Sequence, residues 1–89
     1  MPVVWIPSLL RELTNGERSV SVGGETVGEL IKNLDRLHPG IKERLCDGHR
    51  LRPSIAVIVD GSTSTMKLRQ RLDEASEVHF VISISGGRV

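Results

Sequence analysis

The spacing of apolar residues changes several times along the chain, and each change marks an element. Residues 3–6 form a short apolar run ended by Pro7, and residues 18–22 alternate, with Val20 and Val22 on one face. A period of two places every second side chain on the same side of a pleated strand. With Thr14-Asn15-Gly16 as a turn signal between them, the two runs predict a β-hairpin with a loose connection. After the pair Gly23-Gly24 the period lengthens. Val27, Leu30, Ile31, Leu34 and Leu37 recur at helical spacing, with Lys32, Asn33, Asp35 and Arg36 on the solvated side. Thr26 and Glu29 have capping-box spacing, in which Thr26 accepts from a first-turn N–H and Glu29 reaches back to the Thr26 N–H. His38-Pro39-Gly40 ends the helix, because Pro39 disfavours the helical conformation at His38 and Gly40 turns the chain without a Cβ clash.

Residues 41–46 predict a single helical turn carrying Leu45 inward, and 47–53 an exposed basic loop. Ile55–Val59 is uniformly apolar, which predicts a central strand covered on both faces. It is bounded by Pro53 and by the turn pair Asp60-Gly61, with a short return strand expected over 62–66. Residues 67–75 are charged and irregular, with one turn setting Leu68 or Leu72 on the core. Val78, Phe80, Ile82 and Ile84 then alternate with His79, Val81, Ser83 and Ser85, the pattern of a strand with one face buried. The expected architecture is α+β, a mixed sheet of four to five strands with one main helix packed across it. The domain is expected to span 1–84, leaving 85–89 as a flexible tail.

Length adds a bound: 89 residues make one small domain, with no room for a full nucleotide-binding fold beside it. Twelve basic residues against eleven acidic ones give a net charge of +1, so no strong field points to nucleic acid or an anionic membrane. The first ten residues carry no basic lead and no long apolar stretch, so a cytoplasmic protein is expected. The single cysteine, Cys46, excludes an internal disulfide and reads either as a small buried hydrophobe or as a reactive thiol.

Candidate chemistry is sparse. There is no Gly-x-Ser-x-Gly elbow, and His38, His49 and His79 are scattered, without metal-ligand spacing. Gly23, Gly24 and Gly28 match neither the dinucleotide nor the P-loop pattern and read as a turn. Arg44, His49, Arg50 and Arg52 fit either an acidic partner or a solvated loop. No catalytic residue, metal or bound cofactor is therefore expected. The tail, Ser85-Gly86-Gly87-Arg88-Val89, is not required by any core. Two glycines let an extended backbone enter a narrow enzyme cleft and leave a carbonyl open to a nucleophile. The tail reads either as a substrate handle or as a frayed end.

Together, the opening hairpin, the capped helix, the Asp60-Gly61 turn and the final strand running into Gly86-Gly87 resemble the ubiquitin-like sulfur carriers of the ThiS and MoaD type. The similarity spans nearly the whole chain. Within that group it is greatest to the CysO-type carriers, in the opening strand, in Gly40-Ile41-Lys42-Glu43-Arg44-Leu45 and in the Gly-Gly end. The resemblance implies a β-grasp fold and a protein substrate that is not itself an enzyme. It implies that Gly87 is adenylated with ATP by an E1-like enzyme and becomes a thiocarboxylate, with Gly86 as spacer. That sulfur would go to a biosynthetic acceptor, such as a pyridoxal-phosphate-dependent cysteine synthase, or to a thio-metabolite, molybdopterin or thiamin. The outer sheet face and the tail would dock the activating enzyme. Arg88 and Val89 depart from the family's Gly-Gly terminus, and by analogy with extended carriers a JAMM-type metalloprotease would remove them by cutting after Gly87. Two other readings fit the same residues: a ubiquitin-like modifier joined through Gly87 to other proteins, and a non-catalytic β-grasp interaction module with an incidental tail.

Overall fold

The computed structural model describes residues 1–83. β1 (Val3–Trp5) and β2 (Ser19–Ser21) pair antiparallel, with Val4 opposite Val20. The ladder continues at both ends, where the Ile6 N–H donates to the Arg18 carbonyl (2.8 Å) and the Val22 N–H to the Pro2 carbonyl (3.0 Å). The turn expected at Asn15-Gly16 is present, but the rest of the connection is not loose. Ser8–Thr14 wind into a 3-10 helix that begins after Pro7 and ends on Asn15 in the left-handed conformation (φ 56°). Leu10 and Leu13, three residues apart, match its three-residue turn, and both pack on the core. Thr14 is fully buried there, its hydroxyl 3.2 Å from the Arg11 carbonyl and 3.0 Å from that of Glu17, so its one proton is satisfied.

α1 (Val27–Leu37) buries Val27, Leu30, Ile31 and Leu34. Thr26 Oγ1 accepts from the Glu29 N–H (3.2 Å) as the capping box requires, but the Glu29 carboxylate accepts from the Glu25 N–H (3.1 Å), one residue earlier than expected. The cause is tertiary: Thr26 bridges Arg71, with the Val27 N–H donating to Gln70 and the Leu72 N–H to Glu25 (both 2.9 Å), and this holds the helix entry extended. Gly24 lies in that entry at φ 156°, where an added Cβ would stand 2.7 Å from the Leu30 nitrogen. Leu37, expected on the buried stripe, is 58% exposed. It occupies the last helical position, past the layer that Leu34 closes.

α2 (Ile41–Leu45) is the expected short turn and buries both of its ends, Ile41 and Leu45. Its entry is held by Asp35, whose Oδ1 accepts from the N–H groups of Gly40 (3.1 Å) and Lys42 (3.0 Å). The basic loop expected over 47–53 is instead a small hairpin. β3 (Cys46–Asp47) and β4 (Arg50–Leu51) pair antiparallel around Gly48 and His49, because Cys46 and Leu51 face each other in register and both are buried.

β5 (Ile55–Val59) and β6 (Ser62–Thr63) are joined by Asp60 (φ 51°) and Gly61 (φ 86°), the left-handed pair of a type I′ turn. β6 is shorter than the expected 62–66, since a 3-10 turn over Lys67–Arg69 follows; Leu68 and Leu72 do pack against the core. β7 (Glu77–Ile82) completes a five-stranded sheet in the order β2-β1-β7-β5-β6, with β1 and β7 parallel and the other pairs antiparallel. β7, not β5, is therefore the central strand. Nor is β5 covered on both faces: Ile55 and Val57 are buried, while Ala56 is exposed and Ile58 half-buried. Its apolar run reflects an apolar outer face, not a second covering layer. Ile84, expected to extend the last strand, lies outside the described residues.

Candidate functional site

The outer face of the sheet is assembled by register. Trp5 of β1 stands opposite Ser19 on one side and His79 of β7 on the other; His79 faces Ile58 of β5, and Ile58 faces Thr63. Alternation turns all of these away from the α1 layer, beside Val81 and Ala56 in the next row. The Trp5 indole and His79 imidazole are stacked, 5.6 Å between centroids and 7° between planes. The indole N–H donates to the Glu77 carboxylate (3.2 Å), which fixes the ring against the sheet. Trp5 is 37% and Val81 48% exposed, so apolar surface lies open over the centre of the sheet. A grouped apolar patch rimmed by polar groups, here Asp60, Glu77 and His79, is the usual form of a protein-docking surface.

β7 carries the chain across this face toward the tail. Its last described tie is the Ser83 N–H donating to the Ser54 carbonyl at 2.8 Å, next to the Ile55–Ile82 pair. Gly86, Gly87, Arg88 and Val89, the residues on which the tail chemistry was expected, lie outside the described residues.

The other candidates separate. Arg44 pairs with Glu12 (3.8 Å), and the Arg52 guanidinium donates twice to the Glu43 carbonyl (3.2 and 2.8 Å), so the four-residue basic cluster is not one site. His38 caps the end of α1 and His49 lies in the β3–β4 turn. Among the described residues, no three His, Cys, Asp or Glu side chains converge on a metal position, and no helix is long and apolar enough to cross a membrane. Sequence reasoning missed the Trp5–His79 pair; its signal is that both sit at outward positions of strands that neighbour each other only in the folded sheet.

Cys46 is buried, 5% exposed, as its reading as a small hydrophobe implies. Burial pushes its thiol above the ordinary value, against the opposing pull of Lys42 and Arg52. The folded state thus keeps the proton at a pH where the unfolded chain releases it, so the contribution is intact below the ordinary thiol range of about pH 8.5 and declines above it. In urea unfolding, the stability advantage of the natural chain over Cys46→Ala is expected to shrink between neutral pH and pH above about 9. An advantage that grows with pH would contradict the buried neutral thiol.

The mixed sheet with its central parallel pair, and α1 packed across one face, form a β-grasp fold. Residues 4–87 match the ThiS family. The chain belongs to this family of ubiquitin-like sulfur carriers. A 44-residue stretch, 49% of the chain, is 48% identical to the sulfur carrier protein CysO of Mycobacterium tuberculosis and spans about half, 47%, of that relative's length. Among solved structures, a chain in the BexX/CysO complex of Amycolatopsis orientalis superposes with a TM-score of 0.92 at 31% identity, over 98% of this chain and 100% of that one. The M. tuberculosis CysO structure gives 0.87 at 28% identity, over 94% and 100%. SAMP1 of Haloferax volcanii gives 0.75 at 27% identity, over 97% and 98%.

Proposed function

We propose that this chain is a cytoplasmic sulfur carrier, itself without catalytic activity, that works through Gly87 after removal of Arg88 and Val89. The observation that carries the proposal is the family match over residues 4–87, which takes in the β-grasp sheet from β1 to β7 and, four residues beyond the end of β7 in the sequence, the start of the Gly-Gly pair. In this reading a JAMM-type metalloprotease hydrolyses the Gly87–Arg88 peptide bond. The Gly87 carboxylate then attacks the α-phosphate of ATP on an E1-like enzyme, releasing pyrophosphate. Sulfide displaces AMP from the acyl adenylate and leaves a thiocarboxylate, a competent sulfur nucleophile. The carrier presents that sulfur to a biosynthetic enzyme, with a pyridoxal-phosphate-dependent cysteine synthase as the first acceptor to test. Trp5, Ile58, His79 and Val81 form the docking face and Gly86 is the spacer that enters the partner's cleft. The chain binds no cofactor of its own.

The test is the intact mass of the protein from its native cell, with its C-terminus sequenced by fragmentation. Loss of Arg88-Val89 together with exchange of one Gly87 oxygen for sulfur is expected. An unmodified chain ending in Val89, in cells that make the activating enzyme, would favour the interaction module, and isopeptide-linked adducts would favour the modifier.

A further inference from the structure

The fold divides the basic residues of the 44–52 region. Arg44 and Arg52 are engaged, as described above, but His49 and Arg50 turn onto a groove of about 460 Å³ between the β3–β4 hairpin and the 3-10 turn Lys67–Arg69. Lys67 and Arg69 close its other side, and Asp47 is, among the described residues, the one carboxylate on its wall. Among the described residues, Arg50, Lys67 and Arg69 form no ion pair, although each is exposed. The groove is also apolar, with buried Leu51, half-buried Leu68 and Met66, 51% exposed, along it. None of these residues belongs to the Trp5–His79 face.

The walls are built in place. Ser64 Oγ donates to Gln70 Oε1 (2.8 Å) and accepts from the Lys67 N–H (3.1 Å), and the Arg69 and Gln70 N–H groups close on the Met66 and Lys67 carbonyls (both 3.0 Å). Lys67 is held at φ 54°, a conformation uncommon outside glycine, so the turn is specified by its surroundings. On the opposite wall the Arg52 N–H donates to the Leu45 carbonyl (3.0 Å) and ties the hairpin to α2.

We propose that this groove is a second docking site, for an acidic segment of a partner protein that places one apolar side chain on Met66 and Leu68 while its carboxylates meet Arg50, Lys67 and Arg69. Charge complementarity selects the occupant. Three free cations over an apolar base suit carboxylates flanking an aliphatic residue, and methionine adapts to the shape of such an anchor. Single-stranded nucleic acid would find no Trp, Tyr or Phe to stack on, since Trp5 and Phe80, the chain's only ones, lie outside the groove. The site does not require the carrier reading.

The test titrates the full ¹⁵N-labelled chain with a seven-residue peptide of alternating glutamate and aspartate around a central leucine. Saturable amide shifts are expected at residues 47–53 and 66–69, with affinity falling about tenfold when the leucine becomes serine. The double variant Arg50→Glu, Arg69→Glu should weaken binding by at least about tenfold, and Arg18→Glu with Arg36→Glu, on exposed positions elsewhere, by less than about twofold. Should the double variant lose its dispersed spectrum, Arg69→Gln alone supplies the reading. Equal binding of the glutamine-asparagine analogue, equal shifts and affinity with inorganic phosphate, shifts spread over Arg11, Arg18 and Arg36, or no saturation would each overturn the proposal.

Discussion

Val81→Glu is expected to reduce the kcat/KM of adenylation of a chain ending at Gly87 by about a hundredfold while leaving its melting temperature nearly unchanged. The two halves of this expectation come from the same geometry. Val81 lies on the central strand but points away from α1 and is 48% exposed, so a carboxylate there stays in water and costs less than about 0.5 kcal/mol of stability. On docking, the same carboxylate would be buried beside Trp5, His79 and Ile58 with no Lys or Arg of this face to pair with it, and a desolvated unpaired charge is strongly unfavourable. Leu9→Glu is the control: Leu9 is 56% exposed and equally apolar, but it sits on the 3-10 helix between β1 and β2, off the sheet face, and should leave kcat/KM within about twofold. Pyrophosphate release at limiting carrier measures both variants. If Val81→Glu and Leu9→Glu behave alike, the sheet face is not where the activating enzyme binds.

The second large effect is on stability. Leu34→Ala should cost about 3 kcal/mol, because Leu34 is fully buried among α1, α2 and the sheet and its removal leaves a cavity as well as losing transfer energy. For a domain of this size that lowers the melting temperature by roughly 12–20 °C, a large share of a total stability of about 5–10 kcal/mol. Leu37→Ala, on the same helix three residues later, should cost less than about 0.5 kcal/mol, since its side chain is already more than half in water. Thermal melts that place the two variants within a few degrees of each other would mean that the end of α1 packs differently from the arrangement described.

The contrast between these two leucines shows what the apolar pattern can and cannot convey. Helical period places Leu30, Leu34 and Leu37 on one stripe, and it is correct about direction. It carries no information about where the underlying layer stops, so Leu37 reads as core and is not. The same limit explains β5: five apolar residues imply burial, but only the sheet order reveals that Ala56 and Ile58 face an open surface. Elements set by short-range chemistry were legible, including the Thr26 cap, the Asp60-Gly61 turn and the alternation of β7. Those set by long-range contacts were not. The Glu29 carboxylate moved to the Glu25 N–H because residues 70–72 hold the helix entry, and the basic 47–53 segment became a hairpin because Cys46 and Leu51 are drawn inward together. Trp5 and His79 are 74 positions apart in the chain, and nothing local announces that they stack. The tail stood out for the opposite reason: the apolar pattern of the sequence assigns it no place in a core.

Clamping β7 between a parallel neighbour, β1, and an antiparallel one, β5, also decides how the domain answers mechanical force. Tension applied at Ser83 along the axis of β7 acts across hydrogen bonds that lie perpendicular to the pull in one ladder and slanted to it in the other. Those bonds share the load and must slide together; they cannot open one after another as at an unpaired edge. A partner can therefore tug on the C-terminal end, or a processive unfoldase grip it, and meet the most resistant direction of the sheet, where survival is set by the rate of forced unfolding.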